Sequence, residues 1–142
     1  YLDETFPEHP LFPNEPYKKA LCRQMIEIIN SDIQPLQNLA VLKKVVGEFG
    51  FSDEQKLQWI RHWINLGFKS YEALVQKTAG DFSFANTPTA ADCFLIPQVF
   101  NAHRFEVDMN QYPTIARINE AATQHPDFKK AHPSLQPDTP AK

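Results

Sequence analysis

Apolar residues recur at three- and four-residue steps along most of the chain, the spacing that gathers them on one face of an α-helix. Leu21, Met25, Ile28 and Ile29 set the pattern, with Cys22 beside them, and it runs on through Ile33, Leu36, Leu39, Val41, Leu42, Val45 and Val46. Pro35 interrupts the run, which therefore predicts one long helix bent between Ser31 and Pro35. Asn14 is its expected cap, with Pro16 in the first turn, and Gly47 and Gly50 are its expected stop. Ser52-Asp53-Glu54-Gln55 reads as a capping box, with Leu57, Ile60, Ile64, Phe68, Tyr71, Leu74 and Val75 behind it. A helix from Ser52 to Lys77 would be roughly 39 Å long at ~1.5 Å per residue. Gly67 inside it costs about 1 kcal/mol against Ala, which points to a neighbouring helix packed close.

Thr87 to Phe100 departs from this amphipathic pattern. Between Ala90 and Phe100 the only polar side chains are Asp92 and Gln98. A helix that is apolar all round is expected to be enclosed, so this one is placed at the centre of the bundle. Thr89 suits its N-cap, with the hydroxyl toward the amide of Asp92 and the Asp92 carboxylate reaching back to the Thr89 amide. An acid there also suits the positive end of the helix dipole. Pro97 predicts a kink.

The Gly80–Pro88 loop carries Phe82 and Phe84 and is expected to fold back on the core. Pro113 opens a further helix with Ile115, Ile118 and Ala122 on one face, Pro126 stops it, and a short turn around Phe128 follows. Pro7, Pro10 and Pro13 make residues 1–15 a linker; Pro133, Pro137 and Pro140 make residues 132–142 an irregular tail. Residues 16–131 between them form the domain. No segment alternates like a strand. The prediction is an all-α bundle of about five helices around a buried central one. The chain begins at Tyr1, and Tyr1-Leu2-Asp3-Glu4 reads like a helix end, as if a longer protein continued upstream.

Composition narrows the partners. The chain has 142 residues, 42% of them hydrophobic, enough for one domain with a core. Net charge is −3 with scattered basic residues, which argues against nucleic acid. No apolar run approaches the ~20 residues of a membrane span. Cys22 and Cys93 are read as two buried free thiols, in keeping with a reducing, cytoplasmic setting. The five histidines lack metal-ligand spacing, and His9, His125 and His132 fall in proline-flanked loops, where solvated rings are expected.

Two features carry candidate chemistry. Gln34 and Asn38 are four apart beside Pro35, so on a helix they share a face. Primary amides both donate and accept, which suits a peptide-like ligand; on spacing alone two solvated amides are the favoured reading. Arg104 lies just past the apolar helix, where a guanidinium could clamp a dicarboxylate or simply sit at a helix C-terminus. No protein nucleophile paired with a base is visible.

These residues lie in a set of runs that resembles the C-terminal domain of the zeta class of glutathione transferases. The runs are Asp32-Ile33-Gln34-Pro35-Leu36-Gln37-Asn38-Leu39, Thr87-Pro88-Thr89-Ala90-Ala91-Asp92, and Pro97-Gln98-Val99-Phe100-Asn101-Ala102-His103-Arg104-Phe105. Val107-Asp108, Tyr112-Pro113-Thr114-Ile115 and Gln136-Pro137-Asp138 complete it, so the resemblance spans nearly the whole chain. The Thr89/Asp92 capping motif marks glutathione transferases broadly; the first and third runs are more particular to the zeta group.

The resemblance implies an N-terminal thioredoxin-like domain, absent from this sequence, that would activate the thiol of glutathione. It implies that Gln34, Asn38, Leu39 and Ala40 contact glutathione, Ala40 through its backbone because the family often has Ser there. Arg104 matches the arginine that binds a substrate carboxylate. The implied reaction is glutathione-dependent cis–trans isomerisation of a maleyl diacid, maleylacetoacetate or maleylpyruvate, to its fumaryl isomer. Glutathione is then the nucleophile and no residue of this chain is catalytic, so this piece alone is expected to be inactive. A homodimer is the family expectation. Competing readings are a broader glutathione transferase acting on small halogenated acids and a non-catalytic helical interaction module.

Overall fold

The computed structural model describes residues 1–139. Within them the chain is helical without a strand, and five helices have nine residues or more. The predicted all-α bundle is what forms. Pro140, the last proline of the expected tail, lies outside the described residues.

One helical turn, α1 (Leu2–Thr5), opens the chain. The segment after it is tied to the bundle where the Leu11 carbonyl accepts the Ala90 N–H at 2.8 Å. The first long helix, α2, covers Pro16–Glu27. Its cap is Glu15 and not Asn14: the Glu15 carboxylate accepts from the amides of both Tyr17 and Lys18 at 2.8 Å. With Pro16 at the first helical position, the preceding residue is the one placed to reach those orphan amides. Those two bonds hold the Glu15 carboxyl below its ordinary pKa.

The long bent helix does not form as one element. After α2 the chain widens into a π-helical turn at Ile28–Ile33, tightens into a 3₁₀ turn at Gln34–Gln37, and restarts as α3 (Leu39–Gly47). Pro35 lacks an N–H and its ring crowds the carbonyl four residues back, which weakens the α-helical ladder at this point, and here the chain leaves it. Asn38 is extended (φ −62°, ψ 144°) and caps α3 by accepting the Ala40 N–H at 2.9 Å. Gln34 and Asn38 are therefore not one turn apart on a helical face.

Helix α4 (Asp53–Val75) carries both halves of the Ser52/Gln55 capping box. Its apolar face (Ile60, Ile64, Phe68, Tyr71, Val75) is buried. Gly67 lies where any Cβ would overlap the Ile33 side chain, so the π-turn packs on α4 only over a glycine. Further along, buried Glu72 accepts the amides of Thr114 (2.9 Å) and Ile115 (3.0 Å) at the start of a later helix, α6 (Pro113–Gln124). This remote cap serves the first turn of α6 in place of a local one. Burial pushes the Glu72 carboxyl up, but bonds from Thr114, Ile115 and Gln76 outweigh it and hold the group below its ordinary range.

Between α4 and the central helix α5 (Ala90–Arg104), Phe82 and Phe84 do fold back into the core. The Phe82 ring also receives His125, half-buried against it and against Phe128 at 5.8 and 6.0 Å. His125 is thus not a solvated loop residue; it caps α7 (Pro126–Lys130), and that position turns its ring inward between two aromatics.

Helix α5 packs on α2, the π-turn and α6, but it is enclosed on one side only. Ala91, Asp92, Leu95, Gln98, Val99 and Ala102 are inside, whereas Cys93, Pro97 and Phe100 face out, Phe100 at 45% exposure. The expectation of complete enclosure fails here, and with it that of two buried thiols. Steps of four and three residues put Cys93, Pro97 and Phe100 on one stripe, and Pro97 keeps its missing hydrogen bond on the solvent side of a continuous helix. The two polar residues of the apolar run are the ones buried inside.

Candidate functional site

Each candidate residue takes its position from the elements just described. Gln34 opens the 3₁₀ turn, Asn38 follows it, and Leu39 and Ala40 begin α3, so the four form one continuous strip. All four are exposed, Leu39 at 66%. The Asn38 Oδ1 is occupied by the Ala40 amide, which leaves the Asn38 Nδ2, the Gln34 amide and the first amides of α3 directed to ligand or solvent. The strip is anchored from beneath: Trp59 Nε1 donates to the Leu36 carbonyl at 2.7 Å, and Gln37 Nε2 donates to Gln98 Oε1 at 2.8 Å.

Arg104 ends α5, exposed, with its guanidinium carbon 5.6 Å from the centre of the Phe105 ring. Among the described residues it makes no ion pair. The helix stops in a Schellman-type cap, with the Val107 N–H on the Ala102 carbonyl (2.9 Å) and the Glu106 N–H on the His103 carbonyl (3.1 Å). Glu106 occupies the left-handed position of that cap at φ 54°, where glycine is the usual residue. Arg61 of α4 holds it there, donating through Nε to the Phe105 carbonyl and pairing its guanidinium with the Glu106 carboxylate, each at 2.7 Å. Two residues of α4, Trp59 and Arg61, thereby brace the strip and the Arg104 helix end. Gln37–Gln98 is the one hydrogen bond among the described residues that joins the strip to α5.

At the opposite end of α5 the Asp92 carboxylate accepts from the Thr89 N–H (2.7 Å), the Thr89 hydroxyl (2.9 Å) and the Ser83 N–H (2.8 Å). Ser83 Oγ in turn meets the buried Tyr71 hydroxyl at 3.0 Å, whose ionisation burial pushes far up. This corner is fully bonded and closed. It fixes where α5 begins, and so where Arg104 ends it.

Burial raises the Cys22 thiol pKa; the apolar surroundings and the adjacent Asp92 do the same for Cys93. Both thiols are protonated at neutral pH, so neither is an activated nucleophile. Among the described residues no three His, Cys, Asp or Glu side chains converge to hold a metal, and no helix is long and apolar enough to cross a membrane. A cleft of about 430 Å³ between Pro10–Asn14 and the Phe84–Thr89 segment takes in none of Gln34, Asn38, Leu39, Ala40 or Arg104.

Sequence reading missed Gln37, Trp59 and Arg61 as parts of this arrangement and gave Gln98 no role. The one available signal was Gln98 itself, an amide in an otherwise apolar run. The bracing by Trp59 and Arg61 depends on residues 23 and 44 positions away and leaves no local trace.

No family model matches the chain. It is 46% identical over 140 residues to the probable maleylacetoacetate isomerase 2 of Drosophila melanogaster, covering 99% of this chain and 59% of that one. It superposes with TM-score 0.92 and 39% identity on a crystal structure of maleylacetoacetate isomerase from Anaeromyxobacter dehalogenans with glutathione bound in the active site, covering 98% of this chain and 63% of that one. With a maleylpyruvate isomerase described as a bacterial zeta-class glutathione transferase the TM-score is 0.94 at 36% identity, covering 98% of this chain and 66% of the other. The chain thus spans about three fifths of the curated relatives it matches. On this sequence similarity over nearly its whole length, and on the matching helical architecture, the chain belongs to the zeta class of glutathione transferases.

Proposed function

We propose that this chain is the helical, substrate-facing part of a glutathione-dependent cis–trans isomerase acting on a maleyl diacid, maleylacetoacetate or maleylpyruvate. The observation that carries the reading is Arg104: an exposed guanidinium at a braced helix end, without a carboxylate partner among the described residues, in a chain 46% identical to a maleylacetoacetate isomerase. Arg61, by contrast, is committed to Glu106.

The amide strip fits glutathione. Gln34 and Asn38 offer donors and acceptors to a peptide, and the first amides of α3 suit a carboxylate. Glutathione held there supplies a thiolate that adds to the cis double bond, permits rotation about the resulting single bond and leaves again. Arg104 holds a carboxylate of the diacid by paired N–H bonds and so fixes one end of the substrate while the other turns. Its charge also favours the negative charge that develops on the conjugated carbonyl end. An N-terminal thioredoxin-like domain that activates the thiol, a homodimeric assembly and a cytoplasmic setting belong to the same proposal.

The test is an assay of the full-length protein for glutathione-dependent conversion of maleylacetoacetate and of maleylpyruvate. One of the two is expected to turn over. Arg104→Met should then lower kcat/KM for the diacid roughly a hundredfold and leave the glutathione KM in place. Failure to isomerise either diacid overturns the reading; turnover of a small halogenated acid instead would favour a broader transferase.

A further inference from the structure

Gln98 lies on the central helix with 0% of its surface exposed. Of the four hydrogen bonds a primary amide can make, it makes one, from Gln37 Nε2 at 2.8 Å. Its own Nε2, and the Oε1 of Gln37, are buried without a partner. One bond is worth about 1 kcal/mol, whereas each unpaired buried polar group costs about 1–3 kcal/mol. Stability alone would favour apolar residues at both positions, so stability does not account for the pair.

Its geometric effect does. Gln37 is the last residue of the 3₁₀ turn that Gln34 opens, and Asn38 follows it directly. Gln98 stands six residues before Arg104, roughly 9 Å along the axis at ~1.5 Å per residue. The turn has lost the regular ladder that would otherwise fix its place relative to α5, because Pro35 broke it. The Gln37–Gln98 bond fixes that place directly.

We propose that Gln98, acting through Gln37, is a positioning residue that sets the Gln34–Ala40 strip against Arg104 for glutathione-dependent isomerisation. This rests on the function proposed above. Neither amide touches the reacting atoms; the pair fixes how the glutathione strip is presented.

The test uses the full-length protein with Gln98→Leu, Gln37→Leu and both together, varying glutathione and diacid separately. Each single variant should raise the glutathione KM roughly tenfold, and the double no further, since one bond is removed in all three. The diacid KM should move by no more than about twofold, and circular dichroism should match wild type. A glutathione KM unchanged in folded Gln37→Leu overturns the proposal, as do single effects that add in the double. Should Gln98→Leu fail to fold, Gln37→Leu decides, because it breaks the same bond from a half-buried position. An active wild type with an unmoved glutathione KM overturns this inference alone. If wild type binds glutathione but does not isomerise, the proposed function fails, and titration of glutathione into wild type and Gln37→Leu still reads the inference: equal affinities overturn it. A wild type that neither isomerises nor binds glutathione overturns both.

Discussion

Asp92 and Gln98 are the two polar side chains of the same apolar stretch, both at 0% exposure, yet their surroundings are opposites. Asp92 accepts three hydrogen bonds and ties together the Thr89 cap and the Ser83 loop. Gln98 accepts one, and its amide nitrogen has no partner. A buried polar group whose bonds are complete stabilises; one left half-bonded costs stability and has to be explained by what it positions. The comparison therefore separates an anchor from an aligner within one helix. The largest effect is expected at the anchor. Asp92→Ala leaves the buried Ser83 and Thr89 amides unpaired, each costing about 1–3 kcal/mol, so a loss of about 4 kcal/mol is expected in urea unfolding. That is a large share of a typical domain's stability. Asp92→Asn keeps one acceptor and should cost about half as much. A loss below about 1 kcal/mol for the alanine variant would erase the distinction.

Glu72 extends the comparison to a second, satisfied acid, this time between helices. It accepts the Thr114 and Ile115 amides of α6, 42 and 43 residues away. Glu72→Ala should cost about 2 kcal/mol at neutral pH through two lost amide bonds. Because the folded carboxyl lies below its ordinary 4.5, its contribution is fully present above that value and is lost as pH falls through the folded pKa. Wild type should therefore lose its advantage over Glu72→Ala as acid is added below about pH 4.5, read from denaturation midpoints at stepped pH. A constant difference across that window would mean the cap does not depend on the charged form.

How much of this was readable from the residues follows from the range over which each feature acts. The Ser52/Gln55 box and the apolar face of α4 are local: a cap spans three residues and an amphipathic stripe repeats every turn, so both stood in the sequence. The break at Pro35 was visible as a bend, but not that the chain would pass through π and 3₁₀ turns and restart at Asn38, with Ile33 set closely over Gly67 of a helix more than 30 residues away. Glu15 rather than Asn14 as cap went against residue type, since Asn is the stronger capping residue, and was decided by Pro16 standing at the first helical position. The exposed stripe of Cys93, Pro97 and Phe100 was misjudged because hydrophobicity reports a preference for burial and not which neighbours exist to provide it. Of the candidate site, the exposed amides and Arg104 could be named. The bracing by Trp59 and Arg61 and the partner of Gln98 could not, because each depends on residues brought together only by the fold.

The smallest stability effect is expected where the comparison began, at Gln98. Removing both members of a buried hydrogen bond and filling the space with apolar atoms leaves no orphaned group, and such replacements are close to neutral. Gln37→Leu with Gln98→Leu removes two unpaired polar atoms as well as the bond. The double variant should therefore unfold within about 1 kcal/mol of wild type, on either side. Gln98→Leu alone leaves the Gln37 donor without its acceptor, yet Gln37 is only half-buried and can turn to water, so a cost of about 1 kcal/mol is expected. Urea midpoints for the two variants beside Asp92→Ala give the contrast in one experiment. If the double variant fell as far as Asp92→Ala, Gln98 would be an anchor too, its role in the core would explain its presence, and alignment of the strip would no longer be needed to account for it.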